Sequence, residues 1–153
     1  MKKKIKTYVP DTSALLAYPD LMFRLEKCEV VIPRAAIREL HGLKRSEHLL
    51  IAQAAEKVLN TLRVFGGCLG VGVSLITGSV LRTYEAYEEI DDLASEADNK
   101  IVGAAISLKK EKGGEVVVLS TDTNMRNVAR AYGLTANVPC FSDDANLMDK
   151  VVP

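Results

Sequence analysis

The sequence predicts an α/β fold with a central, mostly parallel sheet flanked by helices, and three observations carry that expectation. The chain opens with short apolar runs that each lead into a helical pattern, "IKTYVP" before "DTSALLAY" and "EVVI" before "PRAAIRELHGLK". It closes the same way, with "EVVVLS" before "NMRNVARAYG" and a last run "LTANV". Strands alternating with helices need crossover connections, which lay helices on both faces of a parallel sheet. Third, 153 residues at 48% hydrophobic composition suffice for one buried core and are short for two.

Each element has a local reason. "IKTYVP" is β-branched and aromatic and reads as the first strand; "DTSALLAYPDLMFRLEK" after it is a capped, partly helical segment interrupted at Pro19. "EVVI" is the second strand. Pro33 suits a first helical position, and Ala36, Ile37, Leu40 and Leu43 recur behind it at helical spacing. "SEHLLIAQAAEKVLNTLRVFGG" is expected to start from a Ser46 cap and to stop at Gly66 and Gly67. "VGVSLI" and "SVLRTY", flanking Thr77 and Gly78, read as a hairpin. The acidic stretch "EAYEEIDDLASEAD" precedes the helix "NKIVGAAISLKKEKGG", which has lysines in its last turn and glycines at its end. Residues 1–141 are expected to form the domain. The polar, acidic residues 142–153 are expected to be an exposed C-terminal tail or the start of a linker.

Composition excludes several classes. Lys plus Arg equals Asp plus Glu at 20 each, so no overall positive field draws the chain to nucleic acid, and any such binding rests on local patches. Cys28, Cys68 and Cys140 are odd in number and lack C-x-x-C spacing, which argues against a disulfide framework and a structural zinc site and for a reducing cytoplasm. "MKKKIKTYVPD" reaches Pro10 and Asp11 without the apolar stretch of a signal peptide, and no run approaches the roughly 18 apolar residues of a membrane span. A soluble, cytoplasmic protein is the expectation. "GGCLGVG" is not a G-x-x-x-x-G-K-S/T phosphate loop.

In an open parallel sheet ligands bind outside the carboxyl ends of the strands, so the residues that follow strands are the ones to inspect. Asp11 follows "TYVP", Asp122 follows "VVVLST", and Asp98 opens the helix before that strand; Glu39 lies beside the apolar stripe of the helix after "EVVI". Taken singly, each has an ordinary role: Asp11 and Asp122 as helix caps, Ser95 with Asp98 as a capping box, Glu39 as a solvated helix residue. Together they are costly. Two carboxylates about 4 Å apart repel by about 4 kcal/mol at an effective dielectric near 20, so a shared pocket requires a cation. Hard oxygen ligands suit Mg²⁺ or Mn²⁺, whereas zinc recruits His or Cys. His41 and His48, two helical turns apart, read as surface or partly buried structural residues.

"VPDTSALLAYPDLMFRLEKCEVVIPRAAIRELHGLK", "ADNKIVGAAISLKKE" and "VVVLSTDTNMRNVARAYGL" resemble the PIN domain, in particular the version at the N-terminus of PhoH-like ATPases, from Tyr8 to about Val138. The resemblance implies a PIN-like three-layer sandwich and a metal-dependent endoribonuclease acting on RNA through Mg²⁺ or Mn²⁺. Asp11, Glu39, Asp98 and Asp122 match the family's acidic metal-binding positions. Thr12 and Ser13 match its D-T-N/S turn, and Asn124 and Arg126 match the D-x-N-L-R pattern of the PhoH-associated branch. His41 and Gly42 stand where that branch often has Asp and Arg.

Asp11 and Asp122 are then the expected principal ligands, Asp98 a ligand or orienter of a second ion, and Glu39 a ligand or water-activating base. Thr12, Ser13 and Thr121 are candidate donors that would fix the carboxylates, with Asn124 beside them. Arg38, Lys44, Arg45 and Arg126, with Arg34, are candidate phosphate contacts, and the acidic stretch 85–92 is expected away from RNA or against a partner's basic surface. Expected partners are RNA, a C-terminal ATPase domain in the parent chain or an antitoxin, and a second copy of the chain; no membrane is expected. The rival readings are a free-standing toxin-type PIN ribonuclease and a non-catalytic RNA-binding PIN module. A haloacid-dehalogenase-like phosphatase would need Asp where the chain has Ser13.

Overall fold

The computed structural model describes residues 5–141, so the tail expected at 142–153 lies outside the described residues. Six strands, β1 (Thr7–Pro10), β2 (Glu29–Pro33), β3 (Val73–Ser74), β4 (Val80–Tyr84), β5 (Val116–Leu119) and β6 (Thr135–Asn137), form one sheet in the order β3-β4-β2-β1-β5-β6. All neighbours are parallel except β3, which pairs antiparallel with β4. The expected α/β class and mostly parallel sheet are borne out. The expected hairpin is present, with its first strand reduced to two residues.

Five helices cover the sheet: α1 (Thr12–Ala17), α2 (Arg34–Leu43), α3 (Leu49–Phe65), α4 (Glu96–Lys112) and α5 (Thr123–Ala131). Because strand side chains alternate in direction, each central strand feeds both layers. Val117 and Leu119 of β5 pack with Leu15, Leu59 and Leu62 of α1 and α3; Val116 and Val118 pack with Ile101, Leu108 and Met125 of α4 and α5. Helix α2 joins the two layers, with Ala36 in the second cluster and Leu40 in the first. Among the described residues no helix is long and apolar enough to cross a membrane.

Two local expectations shift. Pro33 is the residue before α2 rather than its first, still extended at ψ 143°. Ser46 does not cap α3: its hydroxyl accepts from His48 N at 3.0 Å, and His48 takes the cap position without a side-chain bond. A hydroxyl that satisfies a turn is no longer free for a helix two residues on. The segment "DTSALLAYPDLMFRLEK" is capped and partly helical as expected, with α1 before Pro19 and a 3₁₀ turn at Leu21–Phe23 after it.

The acidic stretch after β4 crosses α4. Glu88 N donates to Gly103 O at 3.0 Å, and a Cβ at position 103 would lie 2.0 Å from Glu88 O, so only glycine permits the approach. The strap is held further by Lys110 on Glu88 at 2.7 Å, by the Tyr132 hydroxyl donating to Asp92, and by Asn99, whose amide accepts from Leu93 N at 2.9 Å and donates to Leu93 O at 2.8 Å.

Candidate active site

The chain leaves β1 for β2 on one side of the sheet, while β5 pairs with β1 on the other, so the sheet's switch point lies between β1 and β5. Pro10 is in register with Leu119, and Asp11 N donates to Leu119 O at 2.9 Å. Asp11 and Ser120 therefore emerge side by side past the ends of paired strands.

Both Asp11 and Asp122 cap helices. Asp11, 3% exposed, accepts from Ala14 N at 2.8 Å and from the Ser13 hydroxyl at 2.7 Å, both on Oδ1. Asp122 accepts from Asn124 N at 2.9 Å and Met125 N at 3.5 Å, again both on Oδ1. Cap and ligand are compatible roles because capping occupies one oxygen and leaves the second of Asp122 to other partners. Asp98 lies in the first turn of α4, where Ser95 caps by accepting from Asp98 N at 3.3 Å. Glu39, half-buried on α2, accepts the Thr12 hydroxyl on Oε1.

Electrostatics tie the four together. Burial first, and then the charges of Glu39, Asp11 and Asp122, push the Asp98 carboxyl up to about 6. Asp11 is raised by burial as well, against the pull of hydrogen bonds from Ser120, Ser13 and Ala14, with the Asp122 charge adding to the rise. Among the described residues no group of three or more His, Cys, Asp or Glu side chains is arranged to hold one ion directly. The donor set still fits a hydrated hard ion, since Mg²⁺ keeps several waters and takes one or two carboxylates directly.

The supporting residues divide. Thr12 and Ser13 act through their side chains as above, and Ser13 also accepts from Thr121 N at 3.1 Å. Thr121 and Asn124 contribute backbone N–H groups rather than side chains. Ser120, which the sequence reading passed over, is the hub: fully buried, its hydroxyl accepts from Asp122 N at 3.0 Å and lies 3.4 Å from the Ser13 hydroxyl. Its signal was a hydroxyl at the first position past a wholly apolar strand. Arg126 is spent locally, donating to Ser120 O at 3.0 Å and to the Thr123 hydroxyl at 3.1 Å. Arg38, Lys44 and Arg45 are exposed, and Arg34 pairs with Glu85 at 3.5 Å. His41 and His48 are exposed.

The sequence profile described as PIN domain matches residues 8–138. The chain is 34% identical over 143 residues to Protein PhoH2 of Bacillus subtilis, covering 86% of this chain and 32% of that protein. It is 35% identical over 136 residues to Protein PhoH2 of Thermobispora bispora, covering 86% of this chain and 31% of that one. The chain thus spans about a third of the length of these relatives. Among solved structures, a domain of a functionally unknown protein from Methanocaldococcus jannaschii matches with a TM-score of 0.56 over 92% of this chain and 95% of that one; at 19% identity, this is a likeness of fold alone.

Proposed function

The chain belongs to the PIN domain family, generally a nuclease fold, and on that premise we propose that it is a divalent-metal-dependent endoribonuclease, the PIN portion of a PhoH2-like protein. The observation that supports this most is the Asp98 carboxyl pushed up to about 6 by burial and three neighbouring acids, a cluster that is costly without a cation. A binding surface for RNA alone would gain nothing from it.

A bound Mg²⁺ or Mn²⁺ supplies a lowered pKa for an attacking water and neutralises charge developing on the phosphate. Asp11 and Asp122 would hold it, oriented by their cap hydrogen bonds on Oδ1, with Asp98 meeting it through its water shell. Glu39, fixed through Oε1 by Thr12, has Oε2 left to take the proton of that water. The water oxygen bonds to phosphorus, the bond to the leaving sugar oxygen breaks, and that oxygen is protonated from solvent. The greater length of the relatives supports a further domain in the parent chain, for which we propose the ATPase of the PhoH-like form, over a free-standing toxin.

Labelled RNA incubated with Mn²⁺ or Mg²⁺ tests the proposal. Internal cleavage should appear with metal, stop with chelator, and be lost in Asp11→Asn and Asp122→Asn. Cleavage that survives both substitutions, or that no metal elicits, overturns it and leaves the non-catalytic module.

A further inference from the structure

Two adjoining cavities lead away from the acid cluster along α2 and the first turns of α4. The nearer, of 310 Å³, is lined by Arg38, Glu39, Glu96 and Lys100. The farther, of 260 Å³, shares Arg38 and Lys100 with it and continues to Tyr87 and to Arg34, whose charge is offset by Glu85. Arg38 is exposed and lines both cavities together with Lys100, whose ammonium contacts the exposed Glu96 at 3.1 Å. A surface ion pair of that kind is weak enough for a phosphate to displace it. The end of the groove is aromatic: Tyr87 is 42% exposed, with the Lys100 ammonium 5.5 Å from its ring centroid. Tyr84, in the same groove, is already committed, its hydroxyl bonded to Ser107 at 2.9 Å and to Glu111 at 2.8 Å. A third cavity, of 350 Å³, continues from Tyr87 along Glu88, Glu89 and Asp91, where a polyanion is repelled.

Building on the nuclease reading, we infer that this groove is a nucleotide subsite, in which Arg38 and Lys100 take consecutive phosphates of an RNA strand and Tyr87 stacks an unpaired base before the acidic strap turns the strand away. Backbone cations beside an aromatic face are what single-stranded nucleic acid requires, and a duplex has no free base face to offer Tyr87. Lys100 exchanges its 3.1 Å contact with the exposed Glu96 for phosphate.

Anisotropy of a short labelled single-stranded oligoribonucleotide, measured with chelator present so that nothing is cut, reads the subsite apart from catalysis. Tyr87→Ala should weaken binding about tenfold or more, and Tyr87→Phe should keep it. Lys100→Ala should reduce the slope of log affinity against log salt by about 0.7. An RNA duplex should bind Tyr87→Ala and the parent alike. Parental affinity in Tyr87→Ala, an equal loss on duplex, or no binding by the parent overturns the subsite. If Tyr87→Ala binds normally while Asp11→Asn abolishes cleavage, the subsite fails and the nuclease stands; the opposite pattern removes the nuclease and keeps the subsite. Thermal melts of each variant separate loss of contact from loss of fold.

Discussion

The Ser13 and Ser120 hydroxyls lie 3.4 Å apart and join the loops that follow the adjacent strands β1 and β5. Through them Asp11, which accepts from Ser13, is coupled to Asp122, whose backbone N–H is held by Ser120. The acids at the switch point are therefore positioned by each other's loops as well as by their own helices.

Ser120→Ala removes a fully buried hydroxyl and leaves the Asp122 N–H without its acceptor. The expected cost is about 1–2 kcal/mol, a fall in melting temperature of about 2–8 °C for a domain of this size. Any RNA cleavage should fall by more than the lost folded fraction explains. Calorimetry and kcat/KM measured on the same preparation check both.

Asp98 makes stability depend on pH. Its folded pKa, about 6, is above the ordinary value of 3.8, so the folded state binds the proton more tightly than the unfolded chain. The cost of the ionised group is fully present above about pH 6 and is relieved as pH falls from there toward 3.8. Asp98→Asn should accordingly raise the melting temperature of the metal-free protein at pH 7.5, by a solvent-screened gain on the order of 1 kcal/mol, and should bring little gain near pH 4. A melt series across that range decides it.

Added Mg²⁺ should stabilise the protein at pH 7.5, by about 2.7 kcal/mol at a hundred times the dissociation constant. The gain should shrink below about pH 6, where the Asp98 proton competes with the ion. Asp11→Asn should lose most of it. Calorimetric melts with and without chelator measure the effect, and equal shifts in parent and variant would place the ion elsewhere.

Glu29, at the opposite end of β2 from the acid cluster, provides a control of opposite sign. Burial raises its carboxyl, but Lys112 at 2.8 Å and Arg82 at 3.1 Å outweigh that and hold it below its ordinary value. Its contribution is present above pH 4.5 and is lost as pH falls through the lower, folded value. Glu29→Gln should cost about 2 kcal/mol near neutrality, cost little in acid, and leave metal-dependent stabilisation unchanged.

Gly103→Ala should detach the acidic strap, because the new methyl would sit 2.0 Å from Glu88 O. We expect a loss of about 1–3 kcal/mol and faster hydrogen exchange at Glu88 N, whose partner is Gly103 O. Unchanged exchange there would show that α4 moves instead of the strap.

Local patterns were enough to reveal the alternation of strands and helices, because period and cap chemistry reside in neighbouring residues: Asp11, Ser95 and Asp122 each cap the helix that follows them in the chain. The family and the four candidate acids were legible for the same reason, as short motifs of fixed spacing. What only the tertiary structure decided depends on distant partners. Ser120 matters through Ser13, 107 positions away; Gly103 matters through Glu88, across the strap. Arg126 looked available for phosphate until the fold turned it onto Ser120 O, and Lys100 carries no sequence signal, because only the fold brings Arg38 and Tyr87 to it. A sequence displays which groups a residue carries, whereas packing determines which of them are committed inside the fold and which hold only exposed partners that a ligand can replace.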